Sequence, residues 1–195
     1  MWTRAINVRR VSVAALVSSL FLIAGVMGNG PVGEVEAQTR SADYFLKIDG
    51  IPGESVVEGH EGEIEVLSWS FGASNQTSVG SSGMSAGKVK MNDFTVLAMS
   101  GKATPKLFEA TAQGKVIPSA TLTGSTDDGH TFITWELRNV IVSSFKVRHE
   151  GAGTPWMGDL RFAFGQILVT HTTQNSDGTT SVTKGSWDVI ANKKV

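Results

Sequence analysis

Residues 45–55 read Phe45-Leu46-Lys47-Ile48-Asp49-Gly50-Ile51-Pro52-Gly53-Glu54-Ser55. From Tyr44 to Gly50 this is a short strand that ends in a turn, and Ile51-Pro52-Gly53-Glu54 continues the turn. Further strand patterns follow along the chain. Glu63 to Phe71 places apolar residues at alternate positions for part of its length, the period of a half-buried strand. Gly72 to Gly87 is rich in Ser, Gly and Asn and is expected to be a long loop. Lys88 to Val96 resumes the strand pattern, with a bend at Asn92-Asp93. Val116 to Thr123, Thr131 to Leu137, Val140 to Val147, Leu160 to Phe164 and Ile167 to Val169 follow as strands. Asn175-Ser176-Asp177-Gly178 is a hairpin signal before a last strand within Thr179 to Ile190. Short strands separated by turn residues about every 8–12 positions predict a small antiparallel β-barrel or a sandwich.

One segment breaks the pattern. Thr104 is placed to cap a helix, Pro105 suits its first turn, and Gly114 is placed to end it. Leu107 and Phe108 are expected to pack it on a sheet. The chain is therefore mainly β, with one flanking helix.

Composition narrows the chemistry. The chain has 195 residues with a formal net charge of −1, so no field of one sign points to nucleic acid or an anionic membrane. It has 0 cysteines, which removes disulfides, thiolate metal sites and cysteine catalysis. The first 37 residues carry Arg4, Arg9 and Arg10, then an apolar run from Val11 to Met27, then Val35-Glu36-Ala37. Basic, apolar and small-residue regions in that order predict a secretory signal peptide over 1–37, leaving a domain over 38–195. An uncleaved membrane anchor is the alternative. The protein is expected to be secreted or periplasmic, with no membrane contact after cleavage.

Residues 83–87, GMSAG, match the G-x-S-x-G pattern of a serine nucleophile. That motif needs a strand before the serine and a helix after it, and here strand pattern follows. No catalytic residue is assigned. His60, His130, His149 and His171 lack metal-ligand spacing, and His60 among Glu58, Glu61 and Glu63 reads as a solvated acidic turn. Asp127-Asp128-Gly129 reads as a turn. Asn75-Gln76-Thr77 fits a glycosylation pattern. No cofactor or metal is expected. The tryptophans Trp69, Trp135, Trp156 and Trp187 are expected in core or interface packing.

The block Phe45 to Ser55, then Ile64 to Gly72, Asn92-Asp93-Phe94-Thr95, Lys102 to Phe108 and Trp187-Asp188 together resemble the Hcp family. These are the haemolysin-coregulated proteins that form the inner tube of the type VI secretion system. The resemblance spans about residues 43–190. It implies a small barrel with one helix at its side, assembly into hexameric rings that stack into a hollow tube, no enzymatic activity, and effector proteins as cargo in the lumen. It also implies that the stretch from Ser74 to Lys88 reaches the next ring, with Val79, Met84, Ser85 and Lys88 at the contact. The family pattern begins almost directly at the Phe-Leu-Lys-Ile block, whereas this chain carries a signal peptide in front. A secreted or cell-surface binding module built on the same barrel is the other reading.

Overall fold

The structure is a computed structural model that describes residues 42–195 apart from 81–82, 127–128, 150, 153–155 and 176. The segment read as a signal peptide and Asp127-Asp128 lie outside the described residues.

The elements run β1 (Ala42–Ile48), β2 (Ile64–Ser70), β3 (Ala73–Gly80), β4 (Gly83–Met91), β5 (Phe94–Met99), α1 (Thr104–Gln113), β6 (Val116–Thr126), β7 (Thr131–Arg148), β8 (Met157–Gln174) and β9 (Thr180–Asp188). The main sheet has the order β5-β2-β1-β6-β7-β8-β9, and β5 also pairs with β8. That extra pairing, Phe94↔Phe162 through Met99↔Met157, closes six antiparallel strands into a barrel. The remaining strand, β9, lies on the far half of β8, with partners running from Gln166↔Asp188 to Gln174↔Thr180.

Alternation drives the closure. Along β5, Phe94, Val96 and Ala98 are buried and their neighbours are not. Leu46 and Ile48 from β1, Leu122 from β6, Val142 from β7 and Phe162 from β8 fill the same interior. One end is filled by rings: Trp69 stacks on Phe94 with centroids 5.6 Å apart, and Trp135 tilts against both at 5.5 and 5.8 Å.

Two segments read from sequence as separate strands are one. β7 runs through Asn139, whose φ of 52° turns a corner in the strand, so buried positions fall at Leu137 before it and at Val140 and Val142 after it. That change of phase interrupts the period of two. Gly165 stands across the corner, where a Cβ would lie 3.2 Å from the Asn139 Cβ.

The helix ends as expected and begins otherwise. Gly114 adopts φ 59°, ψ 33°, and the Gly114 and Lys115 N–H groups reach the Thr111 and Ala110 carbonyls. The N-cap is Ala103 rather than Thr104; the Thr104 hydroxyl instead accepts the Gly101 N–H at 3.0 Å. Leu107 and Ala110 are the buried positions, whereas Phe108 is 59% exposed and touches the Phe145 ring from outside. Helical spacing of three residues puts Ala110 and Leu107 on one face, with Phe108 at its margin.

The opening motif owes its glycine to a close approach. The Gly53 N–H donates to the Gly62 carbonyl at 2.7 Å, and a Cβ on Gly53 would lie 2.2 Å from the Glu63 carbonyl oxygen. Backbone stands in the way, so nothing local yields. Gly53→Ala is expected to destabilise the domain by about 1–3 kcal/mol, seen as a lower urea midpoint at unchanged m-value.

Candidate functional site

The stretch from Gly72 to Gly87 is not a loop. It is most of a two-stranded sheet, β3 paired with β4, standing apart from the barrel sheet. Ser and Gly are poor strand formers, which is why composition reads as loop; here tight cross-strand register holds them. Ser78 faces Ser85, Thr77 faces Ala86 and Gly80 faces Gly83. Between Asn75 and Thr77 the register slips, so Gly87 and Lys88 together oppose Gln76. Such a bulge places an extra residue on one strand. Gly87 suits it, because a Cβ there would meet the Gln76 carbonyl at 3.2 Å.

Ser85 therefore lies inside a strand, with its hydroxyl 2.6 Å from the Ser78 hydroxyl. A second hydroxyl is no general base, and no helix follows the serine. The geometry of a nucleophile elbow is missing. Met84 is 78% exposed and Lys88 is exposed; the side chain of Val79 lies outside the described residues. Backbone pairing sets Val79 opposite Met84. The structure thus brings Val79, Met84 and Ser85 to the outer end of one hairpin, with Lys88 at its bulge. At the hairpin root an open recess of about 610 Å³ is lined by Phe71, Lys90, Met91, Asp93 and Arg161, among others.

Sequence reading missed a second constellation. His60 is not a solvated turn residue: its ring stacks on Phe45 with centroids 4.1 Å apart and planes 8° from parallel. Its Nδ1 meets Glu63 Oε2 at 2.9 Å and its Nε2 meets Ser125 Oγ at 3.3 Å. Acid, imidazole and hydroxyl stand in the order of a serine hydrolase relay. Yet Ser125 is 3% exposed and also meets the Thr131 hydroxyl at 3.4 Å, so no substrate carbonyl reaches it. The arrangement clasps the segment between β1 and β2 onto β6. Ser125 lies 65 positions from His60, a pairing no local pattern announces.

The closing Trp187-Asp188 pair also has a local task. The Asp188 carboxylate accepts the Ala191 N–H at 2.6 Å and the Gln166 side-chain amide at 2.8 Å, which holds its pKa below the usual carboxylate value. Trp187 packs on the core beside it. Asp177 is likewise held low by the Thr179 hydroxyl and N–H in the last hairpin turn. Among the described residues there is no group of three or more His, Asp or Glu side chains arranged for a metal, and no helix long and apolar enough to cross a membrane.

The family model for "Type VI secretion system effector, Hcp" matches residues 45–171, from the first strand into β8. This chain belongs to the Hcp family. Protein hcp1 of Pseudomonas aeruginosa is 32% identical over 158 residues, covering 78% of this chain and 98% of that protein. A solved type six secretion system protein superposes with a TM-score of 0.74 at 28% identity, over 80% of this chain and all of its own. Hcp1 from Salmonella typhimurium does so with a TM-score of 0.68 at 26% identity, over 79% of this chain and 99% of its own. The closed barrel with one helix is the fold of these Hcp structures.

Within this Hcp barrel the His60 clasp is structural. His60→Ala is expected to cost about 2 kcal/mol from the lost ring stacking and hydrogen bonding, read as a lower urea midpoint. Any ester hydrolysis shown by purified protein is expected to be the same for Ser85→Ala as for the parent.

Proposed function

We propose that this chain is a non-enzymatic, self-assembling structural subunit that forms hexameric rings stacking into tubes, and that it is exported. The exposed β3–β4 hairpin on a barrel of the Hcp family is the observation that carries this reading. An isolated two-stranded hairpin is marginal in water. A hairpin with every described side chain of its outer half exposed, and with no charge from Ala73 to Gly87, fits a surface that another copy covers. Val79, Met84, Ser85 and Lys88 are the residues assigned to that contact.

A second surface supports lateral contact within a ring. Phe108, Val116 and Ile141 are 59%, 55% and 36% exposed around the helix, with Val116 and Ile141 cross-strand partners. Apolar side chains grouped this way mark interaction sites, and identical subunits commonly resolve such contacts by closed symmetry. The interior of the ring would then be available to effectors or other secreted proteins as cargo. Residues 1–37 are read as a signal peptide removed after Ala37, and residues 38–195 as the assembling domain.

Electron microscopy of purified residues 38–195 is expected to show rings and stacked tubes. A strict monomer at high micromolar concentration would overturn the assembly. Deleting Val79 to Gly87 is expected to leave folded rings that no longer stack. Intact mass of the exported protein is expected to begin at Gln38; a product that retains Val11 to Met27 would place the chain in the bilayer instead.

A further inference from the structure

The hairpin has two outer edges, and they are not alike. β4 carries Lys88 and Lys90 along its length, the kind of charge that keeps an edge from pairing. β3, Ala73-Ser74-Asn75-Gln76-Thr77-Ser78-Val79-Gly80, carries none. Among the described residues β3 has a strand neighbour on one side, β4, and none on its other edge. The main sheet likewise ends at β9. The last residues of β9 are occupied: Asp188 exchanges main-chain hydrogen bonds with Lys193, and the Ser186 hydroxyl donates to the Val195 carbonyl. Thr180 to Lys184 remain exposed, with Val182 at 54%. Each copy therefore presents two unlike strand edges on separate sheets, one uncharged and one bearing a single lysine, Lys184.

We propose that β3 of one copy accepts β9 of a second copy as an added strand, so that the contact between copies is a ladder of main-chain hydrogen bonds. This rests on the reading above, that the hairpin is the stacking contact, and supplies the partner segment and the mode. A third strand is what a two-stranded hairpin needs to become stable. Strand addition draws its affinity from the backbone and leaves side chains to set register. A backbone ladder explains why Ser, Asn, Gln and Thr suffice on β3, where few apolar anchors stand. Because donor and acceptor edges differ, each copy uses each edge once, and the contact propagates from copy to copy instead of ending at a dimer.

Hydrogen-bond parity gives the test. Two residues separate the paired Gly80 and Gly83, so this pair closes the hairpin as a hydrogen-bonded pair. Alternation then makes Ser78–Ser85 hydrogen-bonded and Thr77–Ala86 not, and directs the Thr77 main-chain N–H away from β4. Proline is tolerated on an edge where its missing N–H faced outward. In full mature chain, Thr77→Pro is expected to abolish tubes while leaving rings and melting temperature unchanged, and Thr77→Ala, which keeps the N–H, is expected to leave tubes intact. The chain has no cysteine, so introduced thiols report cleanly. Oxidised assemblies of Thr77→Cys with Val182→Cys, or of Val79→Cys with Val182→Cys, are expected to give a covalent ladder beyond the dimer that is absent from each single variant. Tubes of parental length in Thr77→Pro would overturn the strand ladder, as would failure of both cysteine pairs to cross-link. Dimers from Thr77→Cys alone, with no extension in the double variant, would instead indicate β3 pairing with itself and overturn the β9 assignment. If deletion of Val79 to Gly87 leaves tubes intact, the stacking role itself fails; if deletion abolishes tubes and Thr77→Pro does not, the stacking role stands and the ladder alone fails.

Discussion

The pairing of β5 with the first half of β8 is the contact on which the architecture depends. It joins the two ends of a sheet that would otherwise leave Phe94, Val96, Leu160 and Phe162 facing water, and all four are almost completely buried. Burying a large apolar side chain is worth about 1.5–3 kcal/mol. Closure also removes the free edge of β5, which would otherwise be an aggregation hazard. Because β8 has 18 residues and closure uses only its first part, its second half runs on past the barrel and carries β9. The free edge of the sheet is thus moved from the barrel wall to an outlying strand.

Closure also explains the position of the hairpin. β2 and β5 are neighbours in the barrel, so the chain between them must leave and return at one rim. Gly72 and Asn92 mark the exit and return, with the Asn92 N–H donating to the Gly72 carbonyl at 2.9 Å. A short turn would have been enough to join the two strands. The chain instead inserts β3 and β4, which among the described residues contribute Met91 to the packing on the core.

The sequence made the barrel legible wherever strand period and burial coincide. The β5 alternation, the Gly114 helix stop and the Asn92-Asp93 break all lie where local pattern put them. Failures have local causes. Asn139 changes the phase of β7 and hides one long strand as two. The β3–β4 hairpin is written in Ser, Gly and Asn, whose intrinsic preference is for turns, so its pairing shows only in register. Phe108 looks like a core residue and sits at the edge of the buried helix face. The His60 clasp depends on Ser125, far away in sequence and brought near by the β1–β6 pairing. Val79, Met84, Ser85 and Lys88 were grouped by resemblance; the shared hairpin and its bulge came from the backbone.

GMSAG shows how one short string can satisfy two unrelated demands. In a hydrolase its glycines would permit a strained turn that lifts a serine out of a sheet. Here Gly83 takes φ 123° beside the hairpin tip, and Gly87 admits the Gln76 carbonyl at the bulge. Ser85 and Ala86 are small, Met84 projects outward, and the Ser78–Ser85 hydrogen bond ties the strands without adding bulk. The spacing that mimics a nucleophile motif follows from a bulge a few residues from the Gly80–Gly83 pair. What distinguishes the two cases is the element after the serine: β4 continues through Lys88 and Lys90 as strand, so the backbone never makes the strand-to-helix turn on which that motif depends, and the exposed Ser85 hydroxyl meets only Ser78 among the described residues.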